Sequence, residues 1–252
     1  MTALVSVELR RFFARRLVKA LAVVAIAAMA VTGILVAVNS RPGNEFHLPD
    51  LAPILEGTSF LFVIGGWLIG SSFVGAEWQA GTMTTLLTWE PRRLRVLVAK
   101  ALACAVGVAV VVVVLQAVFG SILALVASTR GSTAGVDDEF LRSVVWLALR
   151  ISAVSAIGAL LGLAIAMVAR NTGASIGIGF AYLAVVEGIM RGLRPGWAPW
   201  LIGDNANVLV LGRDATFPPI GRSAAEAALV LALYVLGFIA VAAVSFRARD
   251  VG

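Results

Sequence analysis

The stretch from Ala76 to Lys100, AEWQAGTMTTLLTWEPRRLRVLVAK, gathers side chains that can do something beyond filling a core. It carries Glu77, Gly81, Thr82, Met83, Leu86 and Leu87, then Pro91, Arg92, Arg93, Arg95 and Lys100. These types at these spacings make no nucleophile, acid–base pair or metal site. The chemistry they suit is docking. At helical spacing Met83, Leu86 and Leu87 share one face, with Thr82 and Thr85 beside them. The helix should stop before Pro91, because the residue preceding a proline is pushed out of the α region. A compact apolar knob ringed by small hydroxyls fits a cleft on a soluble partner. The cations from 92 to 100 would then start the next helix and anchor it at lipid phosphates. An amphipathic loop with snorkelling arginines explains the same composition, and the residues alone leave both readings open.

Catalytic chemistry is scarce elsewhere. The chain has no G-x-x-x-x-G-K-[ST] loop, so it should not bind or hydrolyse ATP. It has no HExxH and no Gly-x-Ser-x-Gly elbow. With one His (His47) and one Cys (Cys104), neither a zinc site of the Cys/His type nor an internal disulfide can form. No metal or cofactor is expected in this chain. Cys104 falls in an apolar run and reads as a small buried hydrophobe.

The elements that must position these residues are membrane helices. The 252 residues are 60% hydrophobic and 13% charged, against roughly 25% charged in a soluble domain. Mean hydropathy is +0.98. The net charge of +6 lies at the ends of apolar runs, which points to anionic lipid rather than nucleic acid. The expected fold is all-α and polytopic, a single membrane domain over 1–252. An amphipathic interfacial helix occupies 1–16, with Val5, Leu9, Phe12 and Phe13 on its apolar side and Glu8, Arg11 and Arg15 elsewhere. Spans follow at about 17–38, 58–75, 101–127, 143–168, 174–190 and 223–246. The first is too long for a secretory signal core. Residues 41–57 and 128–141 read as polar loops. Between the last two spans, Trp197 to Leu211 is half apolar and suits a partly re-entrant or interfacial helix.

Six spans put both termini on one side. The termini, 76–100 and 169–173 together hold twelve cations against Glu8, Glu77, Glu90 and Asp250, so that side is expected to be cytoplasmic. The segment 191–222, with four arginines, falls on the other side. A five-span arrangement would bring it back, but six is preferred. Gly66-x3-Gly70, Gly158-x3-Gly162 and Gly173-x3-Gly177 offer close helix approach, within the chain rather than at a dimer seam. Arg150 and Glu187 stand inside spans, Arg150 some ~10 Å deep. They read as an ion pair tying two helices, or as groups that contact substrate or gate. Gln116 in the third span suits an interhelical hydrogen bond.

Glu77-x3-Gly81-Thr82-x3-Leu86-Leu87-x3-Pro91, followed by basic residues and Lys100, resembles the signature of ABC-2 type transporter permeases, the membrane subunits of ATP-binding-cassette exporters. The likeness runs over the whole chain: interfacial helix, six spans, signature after the second, re-entrant segment before the last, and a terminal Phe246-Arg-x-Arg-Asp250. The family often has Arg three residues after the proline; here that position is Leu94, with Arg93 and Arg95 beside it. The resemblance implies a cytoplasmic-membrane exporter subunit working with a separate ABC ATPase, which binds the ATP and magnesium, and with a second permease, identical or related. Glu77, Gly81, Thr82, Leu86 and Leu87 carry over as its coupling motif, on a helix seated in the ATPase cleft. A membrane-embedded enzyme lacks the paired acids or histidine it needs. A scaffold that only recruits a cytosolic partner predicts no turnover coupling.

Overall fold

The computed structural model describes residues 1–41, 45–217 and 219–248. Arg249 and Asp250 of the terminal motif, with Pro42, Gly43 and Pro218 of the loops, lie outside the described residues. Among those described, the chain is built from helices: α1 (Thr2–Ala14), α2 (Arg16–Asn39), α3 (Leu51–Gln79), α4 (Thr82–Trp89), α5 (Arg93–Arg130), α6 (Asp138–Ala169), α7 (Thr172–Ala181), α8 (Glu187–Leu193), α9 (Ile202–Leu211) and α10 (Ala224–Ala248). Six stretches are long and apolar enough to cross a membrane: α2, Leu48–Gln79, α5, α6, Thr172–Leu193 and α10. Large aliphatic side chains along α2, such as Val23, Val24 and Ile34, face away from the protein. Such a surface is stable only in hydrocarbon, and the chain is a multi-pass membrane protein.

The 41–57 loop is shorter than its composition suggests. Leu48–Asp50 forms a 3₁₀ turn and the helix is under way from Leu51. Pro49 and Pro53 are tolerated because first-turn N–H groups have no partner inside a helix. Helix ends carry the side chains that such ends require. Asp137 accepts from the Phe140 N–H at 2.7 Å to open α6, and Asn171 accepts from the Ala174 N–H at 3.0 Å to open α7. Ser223 and Glu226 form a reciprocal capping box at the start of α10.

The core is the α3–α6 contact, made by glycines on both helices. A side chain at Gly66 or Gly70 would strike the carbonyl of Ser155 or Ala159, and one at Gly162 would strike the Trp67 carbonyl. The first two GxxxG motifs are therefore the two sides of one seam inside the chain. Nothing comes as close to the third: at Gly173 only Asn171 is near, and at Gly177 there is open space. Gln116 bonds across to α6, its amide donating to the Ala148 carbonyl at 3.2 Å and to Ser152 Oγ at 3.1 Å.

The helix is broken between α1 and α2 where the chain turns at Arg15, which is extended, with φ −64° and ψ 132°. This turn lays α1 along α5, with the Phe12 ring against Gly107. Gly107→Val is expected to push Phe12 off and free α1. Limited proteolysis at Arg15 and Arg16 checks this: cleavage should be faster by about tenfold or more if docking is weakened by 1.4 kcal/mol or more.

Candidate partner-docking site

α3 runs on past its apolar stretch, and its 29 residues rise about 44 Å against ~30 Å of hydrocarbon. Gly81 then takes the left-handed conformation, φ 68°, and turns the chain into α4. α4 is eight residues long and ends at Glu90, ahead of Pro91, as the proline demands. Thr82, Thr85, Thr88 and Gly81 are exposed. Trp89 is 85% exposed, an unusual place for an indole. A groove of about 690 Å³ runs between α4 and α1, walled by Arg11, Arg15, Thr82, Thr85, Leu86 and Trp89.

Several residues singled out from the sequence point elsewhere. Met83 is fully buried in the chain's own core, so it supports α4 from beneath instead of facing a partner. Leu86 and Leu87 are half-buried against that core. Glu77 turns inward: its Oε2 lies 2.6 Å from Lys100 Nζ and its Oε1 2.7 Å from Arg15 Nη2. Lys100 does not reach the headgroups. It is fully buried, with Glu8 Oε2 on its other side at 2.9 Å. Arg93 donates to the Phe246 carbonyl at 2.9 Å, a cation at the end of α10. Arg95 pairs with Glu90 at 3.3 Å, and Arg92 is exposed.

Charge alternates along a row that is buried at Glu8 and Lys100 and half-buried at Glu77 and Arg15. Arg15 also donates to the carbonyls of Ser72 and Phe73, at 3.0 and 2.7 Å. Its guanidinium and the Lys100 ammonium lie over the Phe73 ring, 4.6 and 5.3 Å from the centroid. The row thus ties α1 to the end of α3 and the start of α5, the two helices from which α4 is suspended. Buried charges persist only when paired this completely. Glu8 was open to reading, since it lies four residues before Phe12 and shares its face; the expectation that it sits off the apolar side of α1 is wrong, and both are buried. Trp89 had no signal beyond its position before the proline.

Arg150 and Glu187 do not pair. Arg150 lies against the backbone of Gly212, which is left-handed at φ 71°. Glu187 reaches α9, where its Oε1 accepts the Gly203 N–H at 2.7 Å. Tyr182–Val186 is a π turn that sets Glu187 directly above Tyr182, and the Tyr182 hydroxyl accepts the Ile202 N–H at 3.3 Å. Two residues five apart thereby cap the same helix end. Arg191 then joins Glu187, at 3.6 Å, to Asp204, at 2.7 Å. Asp204 is a partner that sequence spacing does not indicate.

Among the described residues no group of His, Cys, Asp and Glu is arranged to hold a metal. No curated protein matches the chain. The family model described as ABC-2 family transporter protein matches residues 4–186, a span holding most of α1, the whole docking end and the α3–α6 seam. Subunits of this family form the membrane part of ABC transporters and work with an ABC ATPase. This chain belongs to the ABC-2 family of transporter proteins, as a permease subunit of an ABC transporter.

Proposed function

We propose that the chain is the permease of an exporter in the cytoplasmic membrane, driven through α4 by its ATPase. The observation that carries this reading is the pairing of an exposed short helix with a partly buried ionic row behind it. Thr82, Thr85 and Trp89 offer a surface, while Glu77, Lys100, Arg15 and Glu8 make that surface move with α1, α3 and α5 together. Glu77 then acts as a positioning residue, Gly81 as the turn that lets α4 project, and Met83, Leu86 and Leu87 as its footing. Both termini and α4 are cytoplasmic on the excess of cations at that end. ATP and magnesium are bound by the partner, and a second permease, identical or related, completes the passage. Arg92, Arg93 and Arg95 lie at the level of the lipid phosphates.

The double variant Thr85→Asp, Trp89→Asp changes only exposed residues and leaves the footing intact. Co-purification with the co-expressed ATPase is the test. Two charges set into an interface core are expected to lower recovery of the ATPase by about tenfold or more, since loss of central aromatic contacts costs about 2 kcal/mol or more. Full recovery of the ATPase with this variant in folded, membrane-inserted form would contradict the reading.

A further inference from the structure

A second cleft, of about 620 Å³, opens beside the N-terminal half of α3, facing α7, α8 and α9. Phe60 lies 19 residues before Gln79, about 28 Å along the helix from the docking end. The cleft's polar part is Glu187, Arg191, Asp204 and Asn207, and its rings are Phe60, Trp67, Phe180 and Phe217. Two carboxylates face one guanidinium, and Arg191 is the only cation among the lining residues. That cation is engaged by Asp204, through Nη2 at 2.7 Å and Nε at 3.3 Å. Glu187 is only 3% exposed and has one oxygen on the Gly203 N–H. Its second oxygen shares Arg191 at the longer 3.6 Å. The cleft therefore holds one carboxylate more than its cations balance. A charge so placed calls for a counter-charge, and ring faces attract cations. The space matches pockets that hold drug-sized molecules, ~300–1,000 Å³.

We propose that this cleft binds an organic monocation with an aromatic or branched aliphatic body. The cation meets the Glu187–Asp204 side and the body lies among the rings. That the ligand is transported rests on the exporter reading; that it binds does not. The probe is radiolabelled tetraphenylphosphonium, titrated onto the purified full chain in nanodiscs without any ATPase. Saturable binding is expected, with neutral triphenylphosphine oxide displacing it only at concentrations about tenfold higher or more. Glu187→Gln keeps an acceptor for the Gly203 N–H and removes the charge. It is expected to raise the Kd about tenfold. Phe217→Ala alters a ring of the cleft that is 94% exposed; it should raise the Kd about threefold with little effect on folding. Equal displacement by the neutral compound, absence of saturable binding, or an unchanged Kd in both variants overturns the proposal. Saturable cation-selective binding by a chain that fails to retain its ATPase would sink the exporter reading alone.

Discussion

Lys100→Met is expected to be among the most damaging single substitutions in the chain. The methionine fills a similar volume but leaves Glu8 and Glu77 facing each other with no cation between them, where Lys100 now sits 2.9 and 2.6 Å from their oxygens. Removing one partner of a buried ion pair costs about 3–5 kcal/mol. Most of that cost comes from the stranded charge. Glu77 retains Arg15 at 2.7 Å, while among the described residues Glu8 retains only the half-exposed Arg11 at 3.3 Å. Adding Glu8→Gln should therefore recover stability, and the double variant should be more stable than Lys100→Met alone by about 1–2 kcal/mol. Thermal unfolding in detergent reads both effects. Strictly additive losses, or a Lys100→Met protein as stable as the parent, would show that the row does not hold α1 to α3 and α5.

Gly70→Ala should disrupt the chain by another route. An added methyl would lie under 3 Å from the Ala159 carbonyl oxygen, carbon and Cα. Backbone of a packed helix cannot step aside as a side-chain tip can, so α3 and α6 must separate. Overpacking costs typically ~1–3 kcal/mol, and the rigid obstacle here puts the loss at about 3 kcal/mol or above. Gly65→Ala is the control on the same helix: nothing lies within 4 Å of a methyl there. Alanine should be neutral or stabilising by up to ~1 kcal/mol, its helix-propensity advantage over glycine. Monodispersity and unfolding temperature of the two variants should diverge. A Gly70→Ala protein that behaves like Gly65→Ala would remove the seam as the core of the fold.

Much of this architecture was legible in the chain, because a long apolar run has few places to go but a bilayer and two of the three GxxxG pairs mark where backbones touch. The break before Pro91 was legible for a local steric reason. What stayed hidden depends on contacts between distant residues. Lys100 lies 92 residues from Glu8, and only packing shows that it turns inward. The same holds for Glu77, whose partners come from α1 and α5. Periodicity places Met83, Leu86 and Leu87 on one face but does not say whether that face meets a partner or the chain itself. Arg150 and Glu187 look suited to each other by depth, yet a π turn rotates Glu187 toward α9. Such turns have no signature in composition.

Labelling of α4 tests the account most directly. The native thiol, Cys104, is fully buried, so Thr85→Cys supplies one reactive site on an exposed position of α4. A membrane-impermeant maleimide should leave this thiol unmodified in intact cells and label it in inside-out vesicles stripped of the ATPase. Rebinding the ATPase should then protect it. Labelling of intact cells, or equal labelling with and without bound ATPase, would contradict the claim that α4 is the cytoplasmic surface through which this permease is driven.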